Sequence, residues 1–177
     1  MFKNFRTILL ALVLIGFIGG CDKAANTNEA TEVKNKELYL KTMDAFKTGN
    51  PDLLNDVLDD AFVEHNPDPS VPGTGKQHWK NQVVEYKKTF PDMTPKVEHI
   101  LAHGDMVWAH FRIKGTNSGP MGGMPATGKS VDVEGIEIMR FKDGKAVERW
   151  GVFDAMTMMT QLGLIPTPGS EQAPAQP

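Results

Sequence analysis

The chain has 177 residues, 40% hydrophobic and 23% charged, which suits one ordinary globular domain rather than two. Its formal charge is −3 and no basic stripe stands out, which argues against nucleic acid as a partner. A single cysteine rules out an intramolecular disulfide.

Lys3 and Arg6 precede an apolar run from Ile8 to Ile18 that only Gly16 interrupts. Such a run is too short to cross about 30 Å of hydrocarbon, but it has the length and basic flank of an export leader. Ile18-Gly19-Gly20-Cys21 resembles a bacterial lipobox, in which the cysteine is lipidated and becomes the mature N-terminus. The expectation is a leader over 1–20, lipidation at Cys21, and a bacterial cell-envelope location. Acyl chains would hold the protein to a membrane, facing the periplasm or the outside. Residues 21–32 are polar after the cysteine and read as a flexible tether. The folded domain is expected over 33–166, and the Pro-rich tail 167–177 is expected to be disordered.

Within the domain, Tyr39, Met43 and Phe46 share one helical face, and Gly49 suits a helix stop. Asn50-Pro51 suits the cap and first turn of a second helix carrying Leu54, Val57, Leu58 and Phe62. Trp79, Val83, Tyr86 and Phe90 define a third, which Pro91 ends. Strands are expected over 95–103, 105–114, 129–142 and 145–152, the last two joined by an Asp143-Gly144 hairpin. Helices first and a meander after give an α+β fold, with N-terminal helices packed on one face of a curved antiparallel sheet.

Alternation along 129–142 places Val131, Val133, Gly135, Glu137, Met139 and Phe141 on one face. Glu137 is the only charge there, either desolvated in a cavity or paired with a base such as Arg112. Ile136 and Ile138, on the opposite face, suggest a homodimer surface. His65 and Asn66 follow an apolar pair, and His110 shares strand parity with Trp108 and Arg112. Trp108, Trp150, Met121 and Met124 could give a pocket flat, adaptable walls, or simply be core. The Gly-rich stretch 115–128 is a candidate lid. It lacks the Lys-Ser/Thr of a phosphate loop, and the five histidines form no metal-ligand spacing, so neither metal nor cofactor is expected.

Several landmarks recur in a fixed order: Gly115-Thr116, Gly119, Met124-Pro125 ahead of Gly128, Asp143-Gly144-Lys145, Trp150 with Asp154, and Gln161-Leu162-Gly163. This pattern resembles the SnoaL-like polyketide cyclases, or ester cyclases, of the nuclear transport factor 2-like superfamily. The resemblance implies a cone-shaped fold around a deep pocket and makes Asp154 the acid/base that takes a proton from carbon and returns one. It also implies a pocket role for His65 or Asn66. Two departures stand out: Asn117 replaces a family His after Gly-Thr, and Glu137 stands where characterised cyclases carry His.

Asp154 can equally be the N-cap of a helix over 155–162. Two readings follow. In the first, the domain is a cofactor-independent cyclase, isomerase or lyase acting on a small, mostly apolar carbonyl compound. Asp154, Glu137 and His65 would be catalytic, with Asn66, Trp108, His110, Met124 and Trp150 lining the pocket. In the second, it is a lipid-anchored binding module without chemistry. Both suppose that Glu137 and Asp154 look into one apolar hollow.

Overall fold

The computed structural model describes residues 21–166, with side-chain surroundings from residue 28 onward. Residues 1–20 and 167–177, which carry the expected leader and tail, lie outside the described residues. Helix α1 spans Cys21–Thr48, and Gly49 then turns the chain with φ +73°. The stretch 21–32, expected as a tether, is thus the first part of α1. No Gly or Pro interrupts 21–48, and Ala, Glu and Lys favour the helix throughout.

Asn50 caps the next turn as anticipated, its side chain accepting from the Asp52 N–H at 3.0 Å. That turn is a short 3-10 helix, Pro51–Asn55, and the chain then becomes strand β1, Leu58–Glu64. The expected second helix is therefore replaced. Tertiary pairing overrides the helical spacing of Leu54, Val57, Leu58 and Phe62, because β1 supplies a parallel partner for what would otherwise be a bare sheet edge.

Helix α2, Gly75–Thr89, is followed by β2 (Thr94–His103), β3 (Met106–Thr116), β4 (Ser130–Lys142), β5 (Lys145–Phe153) and α3 (Ala155–Leu162). The five strands form one sheet in the order β1-β5-β4-β3-β2, antiparallel except for β1 beside β5. Asp143 and Gly144 close the β4–β5 hairpin with φ +51° and +76°, the left-handed pair that a tight two-residue turn requires.

The long helices cover the inner face of the sheet. Tyr39, Leu54, Val57, Trp79, Val83 and Met139 are fully enclosed there. Trp79 organises the packing: Phe62 stacks on it at 5.6 Å and Phe46 meets it edge-on at 5.8 Å. The Gly-rich segment after β3 is not a free lid. Its base is pinned to the end of α2 by Ser118 and Gly119 N–H groups donating to the Thr89 carbonyl. Buried Asn117 ties it further, its side chain accepting from the Thr127 N–H and donating to the Gly119 carbonyl. Asn117 thus serves to order the loop.

Candidate active site

Five elements converge on a buried chain of charges. On the inner face, Glu137 of β4 has Ala109 of β3 and Gly151 of β5 as its register partners, two of the smallest residues available. Next to Gly151, Arg149 sits beside Glu64 of β1. Arg149 folds back across the space over Gly151, where an added Cβ would lie 2.5 Å from its Nη2. Its Nε donates to Glu137 Oε1 at 2.8 Å, with Nη2 on the same oxygen. Nη1 donates to Glu64 Oε1 at 2.6 Å. From α1, Tyr39 donates its hydroxyl to Glu137 Oε2 at 3.0 Å. From α2, His78 Nδ1 lies 2.5 Å from Glu64 Oε2, and its Nε2 lies 3.0 Å from the Asp68 carbonyl.

The cluster is dry. Side-chain exposure is 1% for His78 and Glu64, 4% for Glu137 and 11% for Arg149. Burial opposes the charge on Arg149, but the Glu137 and Glu64 carboxylates more than offset it and hold the guanidinium above its ordinary pKa. Its flat face lies over Trp79, 5.1 Å from the ring centre. Burial first, then the adjoining Glu137 charge and hydrogen bond, push the Tyr39 phenol far up, so it remains a neutral donor. Tyr86 behaves alike: burial, then Asp68, raise it, and its hydroxyl donates to Asp68 Oδ2 at 2.8 Å. Three donors reach Glu137, out of about four acceptor positions a carboxylate offers, leaving one free on Oε2.

The inner placement of Glu137 agrees with strand parity. Its partner is Arg149 rather than Arg112, which faces outward and binds Asp132 at 2.9 Å together with Glu134. The expected companions are elsewhere. Asp154 lies beyond the end of β5, exposed, as the N-cap of α3, so it does not share a hollow with Glu137. Its carboxylate accepts from the Thr157 hydroxyl at 2.6 Å and the Thr157 N–H at 2.9 Å, which hold it below the usual carboxylate range.

Trp108, Ile138 and Trp150 form a row on the outer face. There His65 stacks on Trp150 at 4.4 Å and 5°, and Arg140 covers Trp150 from 5.6 Å. His110 is also outside, stacked on His99 and 3.2 Å from Glu134. Asn66 is exposed and accepts from the Gly151 N–H at 3.3 Å. Met124 closes a turn with Met121 through two 2.9 Å backbone hydrogen bonds.

The exchange of faces on β5 has one cause. Lys142 pairs with Lys145 and Phe141 with Ala146, but Arg140 pairs with Glu148. Val147 is therefore an extra residue, a bulge that shifts the register by one. Without it Trp150 would stand across from Glu137; with it Gly151 does, and Arg149 turns inward. On β1 the missed signal was simpler. Phe62 is buried, so alternation selects Glu64, not His65, for the inner face.

Two surface grooves accompany this closed interior. One of about 600 Å³ runs between β1 and the start of α2, and Glu64 belongs to its wall. The other, about 520 Å³, lies beside the β3–β4 edge near Gln161. Neither is lined by Glu137 or Asp154, and the concave face is packed by Tyr39 and Trp79 rather than open as a deep cone. Among the described residues, no three metal-binding side chains converge, and no helix is long and apolar enough to cross a membrane.

Known proteins share this architecture. Aklanonic acid methyl ester cyclase DauD of Streptomyces sp. (strain C5) is 29% identical over 134 residues, which is 72% of this chain and 80% of DauD. TsrD from Streptomyces laurentii has the same fold with a TM-score of 0.69 at 24% identity, over 75% of this chain and 97% of its own. IdmH from Streptomyces antibioticus matches with a TM-score of 0.64 at 27% identity, over 73% of this chain and 98% of its own. Residues 36–162 match the SnoaL-like polyketide cyclase family, which is most of the chain and all of the sheet, and the protein belongs to that family.

Proposed function

We propose that this domain performs cofactor-independent acid/base chemistry of the cyclase, isomerase or lyase type on a small carbonyl compound, with Glu137 as the base. The observation that carries the reading is a buried carboxylate on the inner face, Glu137, held by one guanidinium and one phenol and keeping one acceptor position open. The three groups supply complementary parts. Glu137 has a free position on Oε2 to accept a proton from the carbon beside a carbonyl. Tyr39, kept neutral, can turn its single hydroxyl hydrogen from Glu137 to the oxygen on which charge develops as Glu137 takes up the proton, and Arg149 adds positive charge in a dry site. A base needs only modest strength when such donors stabilise the product of proton removal. Substrate reaches Glu137 only if the packing around Tyr39 opens, so the enclosed state is a resting state.

The test reads proton abstraction directly. Aklanonic acid methyl ester, the compound DauD is named for, and simpler β-keto esters are incubated with the purified protein in deuterated buffer. Wild type is expected to exchange the proton next to the carbonyl. Glu137→Gln is expected to lower that rate by about 10²–10⁴-fold while the circular dichroism spectrum is unchanged. Undiminished exchange in a folded Glu137→Gln protein would overturn the assignment.

A second reading is favoured by the closure of the site and the number of donors on Glu137: a module that binds a small molecule without chemistry. It predicts saturable ligand binding with no exchange in wild type. On either reading the envelope location rests on lipidation at Cys21. Cys21→Ser should release the protein from the membrane fraction, and an acylated mature N-terminus should be visible by mass spectrometry.

A further inference from the structure

Resting on the reading that Glu137 is the base, we propose that His78 is a positioning residue that holds one additional proton against Glu64 and so keeps Glu137 ionised, acting across Arg149.

The argument is a count of protons. The Asp68 carbonyl can only accept, so His78 Nε2, 3.0 Å away, carries a hydrogen and donates it. In a neutral ring Nδ1 would then be an acceptor. Yet Nδ1 lies 2.5 Å from Glu64 Oε2, and two bare acceptors do not approach so closely in a dry site. A further proton therefore sits between them.

With that proton the His78–Glu64 pair is neutral as a unit, which leaves the Arg149 guanidinium matched to the Glu137 carboxylate alone. The remaining titratable neighbours do not alter this balance. Tyr39 on α1 and Tyr86 on α2 are neutral phenols. The Asp68 carboxylate makes its hydrogen bonds with Ser70 and Tyr86; burial opposes its charge, but those bonds, and after them the nearby His78 ring, hold it below the usual carboxylate range.

Without the proton on the His78–Glu64 pair, one guanidinium would face two enclosed carboxylates. One of them would then take up a proton, shared between Glu64 and Glu137. A Glu137 already protonated cannot start the reaction. In the forward step its carboxylate forms an O–H bond with the proton leaving carbon. The C–H electron pair passes into the enolate, the new Glu137 O–H exchanges its proton with solvent, and that carboxylic acid then returns a proton to the product and becomes a carboxylate again. His78 touches neither substrate nor reacting atoms; it sets the state in which Glu137 waits.

The test uses the purified folded chain, with infrared spectroscopy of the protonated carboxylic acid band and the deuterium exchange assay. His78→Asn is expected to gain that band at neutral pH and to lose about 10²-fold in exchange. The double variant Glu64→Gln/His78→Asn restores one carboxylate to one guanidinium. It should lose the band and recover the exchange rate of Glu64→Gln alone. A merely structural role for His78 predicts no such recovery. No band in folded His78→Asn, or a double variant as slow as His78→Asn, overturns the proposal. If wild type shows no exchange, the band still decides, so this inference and the base assignment fail separately. If His78→Asn does not fold, nitrogen-15 spectra of wild type decide: both His78 ring nitrogens should be protonated at neutral pH. A neutral ring beside an ionised Glu64 overturns the proposal.

Discussion

At one row of the sheet the two faces invert the usual distribution of side chains. Across β3, β4 and β5 the inner row reads Ala109, Glu137, Gly151, and the adjacent outer row reads Trp108, Ile138, Trp150. Charge lies inside and aromatic surface outside. The outer row needs little explanation, because His65 and Arg140 lie against Trp150 and shield part of it. The inner row does need one. Desolvating an ion costs several kcal/mol even after relaxation, so two carboxylates, a guanidinium and a histidine in one core persist only as a mutually paired set. The small residues beside Glu137 make room for that set. The face that breaks the rule of apolar interiors is therefore the better indicator of chemistry, and the tryptophan-rich face is the lesser one.

The sharpest way to break this contrast is at the shared cation. Arg149→Met leaves Glu64 and Glu137 without it and should destabilise the fold by about 3–5 kcal/mol, measured by urea denaturation. A loss below 1 kcal/mol would mean the inner face is not held by its charges. Gly151→Ala comes next. Its new Cβ must push the guanidinium off Glu137, so we expect a loss of about 1–3 kcal/mol with lower exchange activity. The reverse exchange, Ala155→Gly at the exposed start of α3, gauges the backbone effect alone.

A titration sharpens the contrast without any substitution. The chain has two tyrosines, Tyr39 and Tyr86, and both phenols are raised in the fold by burial and a neighbouring carboxylate. Their folded pKa values exceed the unfolded value of about 10, so their contribution to stability is present below about pH 10 and is lost as pH rises above it. Tyrosinate absorbance should therefore appear together with the loss of far-ultraviolet circular dichroism, in one transition. A gradual phenolate signal near pH 10 in folded protein would show that the inner face is wet. The smallest effects belong to the outer face. His65→Ala should change stability by no more than about 1 kcal/mol, the scale of one stacked pair. Asp154→Asn, which keeps a capping oxygen, should leave both melting temperature and exchange almost unaltered.

Much of the fold was readable because local signals and tertiary structure agree in β2 to β5. The Asp143-Gly144 turn fixed a hairpin, and alternation placed Glu137 inward. β1 was unreadable because its apolar spacing also fits a helix, and only the vacant edge of β5 decides between them. The site was half readable. Glu64 lay one step of alternation from Phe62, and His78 and Gln82 are buried beside the Trp79–Val83 stripe of α2. Arg149 was hidden, because no pattern in 145–152 announces an unpaired Val147. The resemblance to the cyclases drew attention to Trp150 and Asp154, which the bulge and the end of the strand place outside.

The unpaired valine has a consequence for how such chains change over time. Substitutions alter one position, whereas losing that single residue would rotate the remainder of its strand by half a turn about its axis. The tryptophan would move into the interior and the guanidinium out to water. Where two homologues differ by one residue in this hairpin, an ungapped alignment would equate side chains that point in opposite directions. The set of side chains that faces the interior is thus more vulnerable to a three-base deletion here than to most missense changes.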